Sequence, residues 1–139
     1  MRRRAGRTGR GGACAAAVAL VAAVAPAAAY TPAVEYALHC QGCHLADGRA
    51  TPGSVPALTG SVGRLAASAE GRAYLARVPG VAQAPLGDAE LAALLTWVIV
   101  HFGGSEAPPD FAPYSADEIG RLRRDPLVDV DAARRALLP

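Results

Sequence analysis

Two cysteines and a histidine stand together in Cys40-Gln41-Gly42-Cys43-His44, and no other stretch constrains the chain as tightly. The spacing puts both thiols on one turn of backbone, with an imidazole directly after the second. This is the c-type haem attachment pattern. Thiols so placed can reach the two vinyl groups along one edge of a haem as thioethers, and the imidazole then addresses the iron as proximal ligand. A bare C-x-x-C has two rival readings, a redox dithiol and half of a zinc site. The first would need a surrounding βαβ pattern, and none is found. The second would need another ligand pair, and outside the motif the only histidines are His39 and His101. One covalent haem c is therefore expected, held through Cys40 and Cys43 with His44 on the iron.

The amino end reads as a leader. Arg2, Arg3, Arg4, Arg7 and Arg10 precede an unbroken apolar run from Ala13 to Ala25, and Pro26 leads to Ala27-Ala28-Ala29. Charged, apolar and small-residue regions in that order predict a signal peptide over 1–29, cleaved after about Ala29, and a periplasmic product. The apolar run falls short of the roughly 20 residues of a membrane span, so membrane association is expected only if the leader is retained. Without the leader, nine arginines face twelve carboxylates, a formal −3 where the whole chain carries +2. The one basic tract goes with the leader, which argues against nucleic acid as a partner. Cys14 goes too, leaving no thiol for a structural disulfide.

The remainder reads as helices joined by loops, an all-α chain. Thr31-Pro32 is a helix-start signal, and Val34, Ala37 and Leu38 fall at helical spacing up to His39, which is expected to face solvent. Gly and Pro punctuate 45–60 so densely that a wrapping loop is expected. One or two short helices fit 61–78, Arg72 to Val78 the better of them, stopped by Pro79-Gly80. The clearest helix starts at Gly87-Asp88 and ends at Gly103-Gly104, with Leu91, Leu94, Leu95, Val98 and Phe102 on one apolar face. Beyond a proline-rich linker, Ser115 caps a short helix with Ile119 and Leu122, and a second one ends near Leu138. Phe111 and Tyr114, or Leu127 and Val128, are candidates to dock this tail on the rest.

Taken together, Cys40-x-x-Cys43-His44, Asp47-Gly48 and Val55-Pro56-x-Leu58-x-Gly60 resemble a class I, mono-haem c-type cytochrome. The resemblance covers about residues 33 to 103. It implies a small helical domain over 30–104 wrapped around one haem, followed by the linker and helical tail, 105–139. It also implies that the Pro56 carbonyl accepts a hydrogen bond from the second ring nitrogen of His44, and that Trp97 packs the last helix on the first. Leu58, Leu94 and Val98 are expected to cover the haem, with Tyr74 as a wall residue or a propionate partner. A domain of about 75 residues buries little apolar surface on its own, so the apoprotein is expected to be largely unfolded.

The family pattern fails at one place. Its members mostly place a methionine sulfur on the iron from a loop before the last helix, whereas the single methionine here is Met1. The corresponding loop reads Val78-Pro79-Gly80-Val81-Ala82-Gln83-Ala84-Pro85-Leu86. Four outcomes stay open for the sixth position: His101, Gln83, an open or water-filled site, and a residue from a partner protein. The function implied is single-electron transfer between redox partners, such as a periplasmic dehydrogenase or oxidase, by a carrier and not a catalyst. The alternative is a haem protein that binds a gas or other small ligand at an open or weakly ligated iron.

Overall fold

The computed structural model describes residues 30–138, so the leader reading of 1–29 lies outside the described residues. The described chain is all-α, with no strand among these residues. Its helices are α1 Pro32–His39, α2 Gln41–His44, α3 Val62–Ala66, α4 Ala69–Arg77, α5 Pro79–Ala82, α6 Asp88–Phe102, α7 Ala116–Leu122 and α8 Val130–Leu137. A 3-10 turn spans Gly104–Glu106.

Local chemistry explains most boundaries. The Thr31 hydroxyl accepts from the Val34 amide at 3.4 Å, with Pro32 at the first helical position of α1. Ser68 and Ser115 cap α4 and α7 in the same way, accepting from the Gly71 and Glu118 amides at 3.0 and 3.1 Å. At α6 the cap is Gly87, and the Glu90 carboxylate accepts from its amide at 2.9 Å. Pro79 has a double part: α4 stops at Arg77, and the proline opens the one-turn α5 instead of merely ending a helix.

α6 is the axis of the core. Leu91, Leu94, Leu95, Val98 and Phe102 are buried as their spacing requires, and so are Ala92 and Ile99. The burial extends round the helix because α1, α3 and α7 all pack on it. α1 departs from expectation. Its stripe of Val34, Ala37 and Leu38 is exposed, and Glu35 and Tyr36 are the buried residues instead. The reason is aromatic packing: the Tyr36 ring lies 5.4 Å from Trp97 and 5.1 Å from Phe102, which turns the aliphatic stripe outward.

The tail packs within the chain. Tyr114 and Ile119 belong to the same buried core as α6, Leu127 packs against it, and Val128 is fully exposed. Arg72 of α4 is the main tie. Its Nε and Nη2 donate to the two Glu118 carboxylate oxygens at 3.2 and 2.9 Å, and Nη1 donates to the Ala112 carbonyl at 2.8 Å. The guanidinium also lies 4.1 Å from the Tyr114 ring centroid, and the Tyr114 hydroxyl donates to the Arg72 carbonyl at 2.9 Å. A forked pair this sheltered exceeds an ordinary surface ion pair. Arg72→Ala is expected to lower the unfolding free energy in urea by roughly 2–3 kcal/mol. A double-mutant cycle with Glu118→Ala should return a coupling of about 1–2 kcal/mol, and a coupling near zero would refute the tie.

Candidate haem site

The attachment motif is a single tight turn. Cys43 and His44 amides both donate to the Cys40 carbonyl, at 3.1 and 2.9 Å, which closes α2 directly behind α1. Cys40 is half-buried and Cys43 exposed. Burial pushes the Cys40 thiol up to about 11. That is the reverse of the attacking thiol of a redox dithiol, which is poised to ionise near neutral pH. The zinc reading fares no better, because no group of three or more metal-ligating side chains exists among the described residues.

Cys40 and His44 face a cavity of about 1150 Å³, its open mouth included. Its walls come from well-separated parts of the described chain. The loop after the motif contributes Pro56 and Leu58, α3 and α4 contribute Leu65 and Tyr74, and α6 contributes Leu94 and Val98. Pro56, Leu58, Leu94 and Val98 thus stand where a haem would need cover. Two of the residues weighed for the sixth position do not join them. His101 is exposed on α6 and stacks on Trp97 at 4.4 Å between ring centroids, which draws it away from the cavity. Gln83 ends α5, beside the lining residues Val81 and Ala84, with its own side chain exposed.

His44 carries the chemistry. Its Nδ1 is buried without a hydrogen-bond partner. Burial lowers its pKa below the ordinary histidine value, and the Pro56 carbonyl, an acceptor close to the ring, acts in the opposite direction without meeting strict hydrogen-bond geometry. Burial thereby favours the neutral imidazole, the form a metal requires. Leaving such a nitrogen unpaired is costly, and ligation that draws the ring toward Pro56 would remove the cost. The residues present therefore fit a covalently held haem: Cys40 and Cys43 for its vinyl edge, His44 for its iron and the apolar walls for its faces. His39 also lines the cavity. Its Nε2 lies 3.2 Å from Oε2 of the buried Glu35, within ion-pair range but poorly aligned, so Oε2 makes no hydrogen bond.

Reading motifs alone missed Tyr36, one helical turn before Cys40. Its hydroxyl donates to the Leu45 carbonyl at 2.6 Å and reaches the His44 carbonyl at 3.2 Å. Leu45 has φ 55° and ψ 169°, a region that side chains other than glycine rarely enter. The clamp therefore holds a strained exit from the motif. Beyond it, Gly48 at φ +73° presses on Phe102, where a Cβ would stand 2.5 Å from Cδ1, and the Gly48 carbonyl accepts from the Leu58 amide at 2.8 Å. That bond sets Leu58 into the cavity wall. A further omission is α8, whose Val130, Asp131 and Arg134 also line the cavity. The tail is thus part of the site.

Burial pushes the Tyr36 phenol from 10.0 up to about 12, with Cys40 and Asp47 adding repulsion. The neutral phenol is the folded form, so its contribution to stability is complete below pH 10 and falls away as pH rises to about 12. Tyr36→Phe should cost about 1.5 kcal/mol at neutral pH. It should also flatten the alkaline fall in stability, measured by urea unfolding at a series of pH values.

No family model matches the chain. Among known proteins, cytochrome c-552 of Thermus thermophilus is 32% identical over 102 residues, covering 60% of this chain and 78% of that protein. A cytochrome c-552 from a second strain of the same species is also 32% identical over 102 residues, covering 69% of its length. With Cys40 and His44 lining an apolar cavity in a helical fold, this likeness settles the family: the chain is a c-type cytochrome, and its cofactor is covalently bound haem c.

Proposed function

We propose that the chain carries single electrons between redox partner proteins in the periplasm, using one haem joined to Cys40 and Cys43 with His44 as the proximal iron ligand. The observation that carries this reading is the His44 imidazole, half-buried at an apolar cavity with its Nδ1 enclosed and unpaired near Pro56. Covalent attachment suits a carrier, because the cofactor stays in place through repeated oxidation and reduction. The exposed Cys43 supports a route for electrons, since it leaves the attachment edge near the surface. Export follows from reading residues 1–29 as a cleaved leader. No helix among the described residues is long and apolar enough to cross a membrane.

The sixth position is not filled by methionine in this reading, because Met1 is the only one in the sequence. The exposed positions of His101 and Gln83 favour an iron that the chain leaves open. The reduction potential should then lie below that of methionine-ligated cytochromes. The same feature favours the second reading, a haem that binds a small external ligand.

Optical spectra of both oxidation states, with and without carbon monoxide, test the proposal. Pigment should remain with the protein in acidified organic solvent and be lost from the Cys40→Ser, Cys43→Ser double variant. Electron exchange with a periplasmic dehydrogenase supports the carrier. Colourless exported protein, or complete extraction of the pigment from the wild type, would sink it.

A further inference from the structure

The segment between α4 and α6 has two unlike faces. Inward, Val78, Gly80, Val81 and Ala84 line the haem cavity, and none of these side chains can donate or accept a hydrogen bond. Outward, three of its carbonyls converge on one side chain from the tail. Arg123, the residue that caps α7, donates from Nε to the Ala82 carbonyl at 2.9 Å and from Nη2 to the Ala84 carbonyl at 2.6 Å. Its Nη1 donates to the Leu86 carbonyl at 2.7 Å and reaches the Asp88 carboxylate at 3.2 Å. The Arg123 side chain is only 17% exposed, so these bonds replace most of its water. A planar guanidinium presents its donors in a fixed fork that matches this spread of carbonyls, whereas a lysine ammonium offers a compact charge on a flexible stem.

The consequence concerns the iron. A loop of nine residues has few groups able to bind a metal: its backbone carbonyl oxygens and the Gln83 amide. Arg123 engages the carbonyls on either side of Gln83, and Gln83 itself is exposed. We propose that Arg123 is a positioning residue that pins this loop as an inert apolar wall. It thereby keeps the loop's own donor atoms off the iron and holds a fixed wall against any external ligand, which favours a neutral diatomic such as carbon monoxide or nitric oxide over a bulkier one. This rests on the reading that His44 is the chain's sole iron ligand. Arg123 sets size selectivity through the wall and never touches the ligand.

Binding of carbon monoxide to the reduced holoprotein and of imidazole to the oxidised holoprotein tests this. Wild type should bind carbon monoxide readily and imidazole poorly. Arg123→Ala and Arg123→Lys should raise imidazole affinity at least about tenfold and change carbon monoxide affinity less than about threefold. Val81→Ala thins the wall without touching the staple, so it should shift selectivity the same way even where Arg123→Ala folds poorly. Its effect should combine with that of Arg123→Lys less than additively in free energy. Wild type that ignores carbon monoxide overturns both the open iron and the role of Arg123. Wild type that binds it, with imidazole affinity unchanged in Arg123→Lys, overturns the role of Arg123 alone.

Discussion

A phenol hydroxyl ties the haem-binding turn to the rest of the molecule. Tyr36 sits in α1 with its ring against Trp97 and Phe102 of α6, and its oxygen reaches over the attachment turn to the Leu45 carbonyl. Three parts of the chain are made one by this contact: the helix that delivers Cys40, the turn that carries His44 and the helix that forms the core. It supports the exit at Leu45, where φ is positive, together with the Leu45 amide bond to the Gln41 carbonyl at 3.0 Å. The direction of His44 follows from that exit. Gly48 extends the same logic, since its close contact with Phe102 brings the wrapping loop onto α6 and sets Leu58 over the cavity.

The tail closes the structure by a different means. Its contacts with the haem domain combine apolar burial, through Tyr114 and Ile119, with arginine forks. Arg72 binds Glu118, Arg77 pairs with Asp125 at 2.6 Å, and Arg123 collects the carbonyls of the α5 segment. An arginine satisfies carbonyls at a loop without requiring that loop to be helical, so short irregular backbone can be held firmly beside a cavity. The tail then continues to α8, whose Arg134 and Asp131 reach the same cavity. The cavity thus takes part of its wall from the tail.

These arrangements separate two demands on a haem protein. The proximal side would need a fixed imidazole, and the five-residue motif offers His44 on a turn clamped by Tyr36. The other walls need only shape, and small side chains with outward-turned carbonyls provide it.

What could be read from residues alone was local in origin. The Cys40–His44 spacing, the caps at Thr31 and Ser115, and the 3.6-residue period of Leu91, Leu94, Leu95 and Val98 each depend on neighbours within two turns of backbone. Haem attachment and the helical class were legible for that reason. The buried face of α1 was not, because the aliphatic stripe of Val34 and Leu38 competes with the aromatic contacts of Tyr36, and the winning partners lie some 60 residues away along the chain. Likewise the exposure of His101, the grip of Arg123 on the α5 segment and the share of α8 in the cavity arise between distant segments. Pair contacts of this kind leave no period or spacing in the sequence, so only the folded arrangement of the helices could decide them.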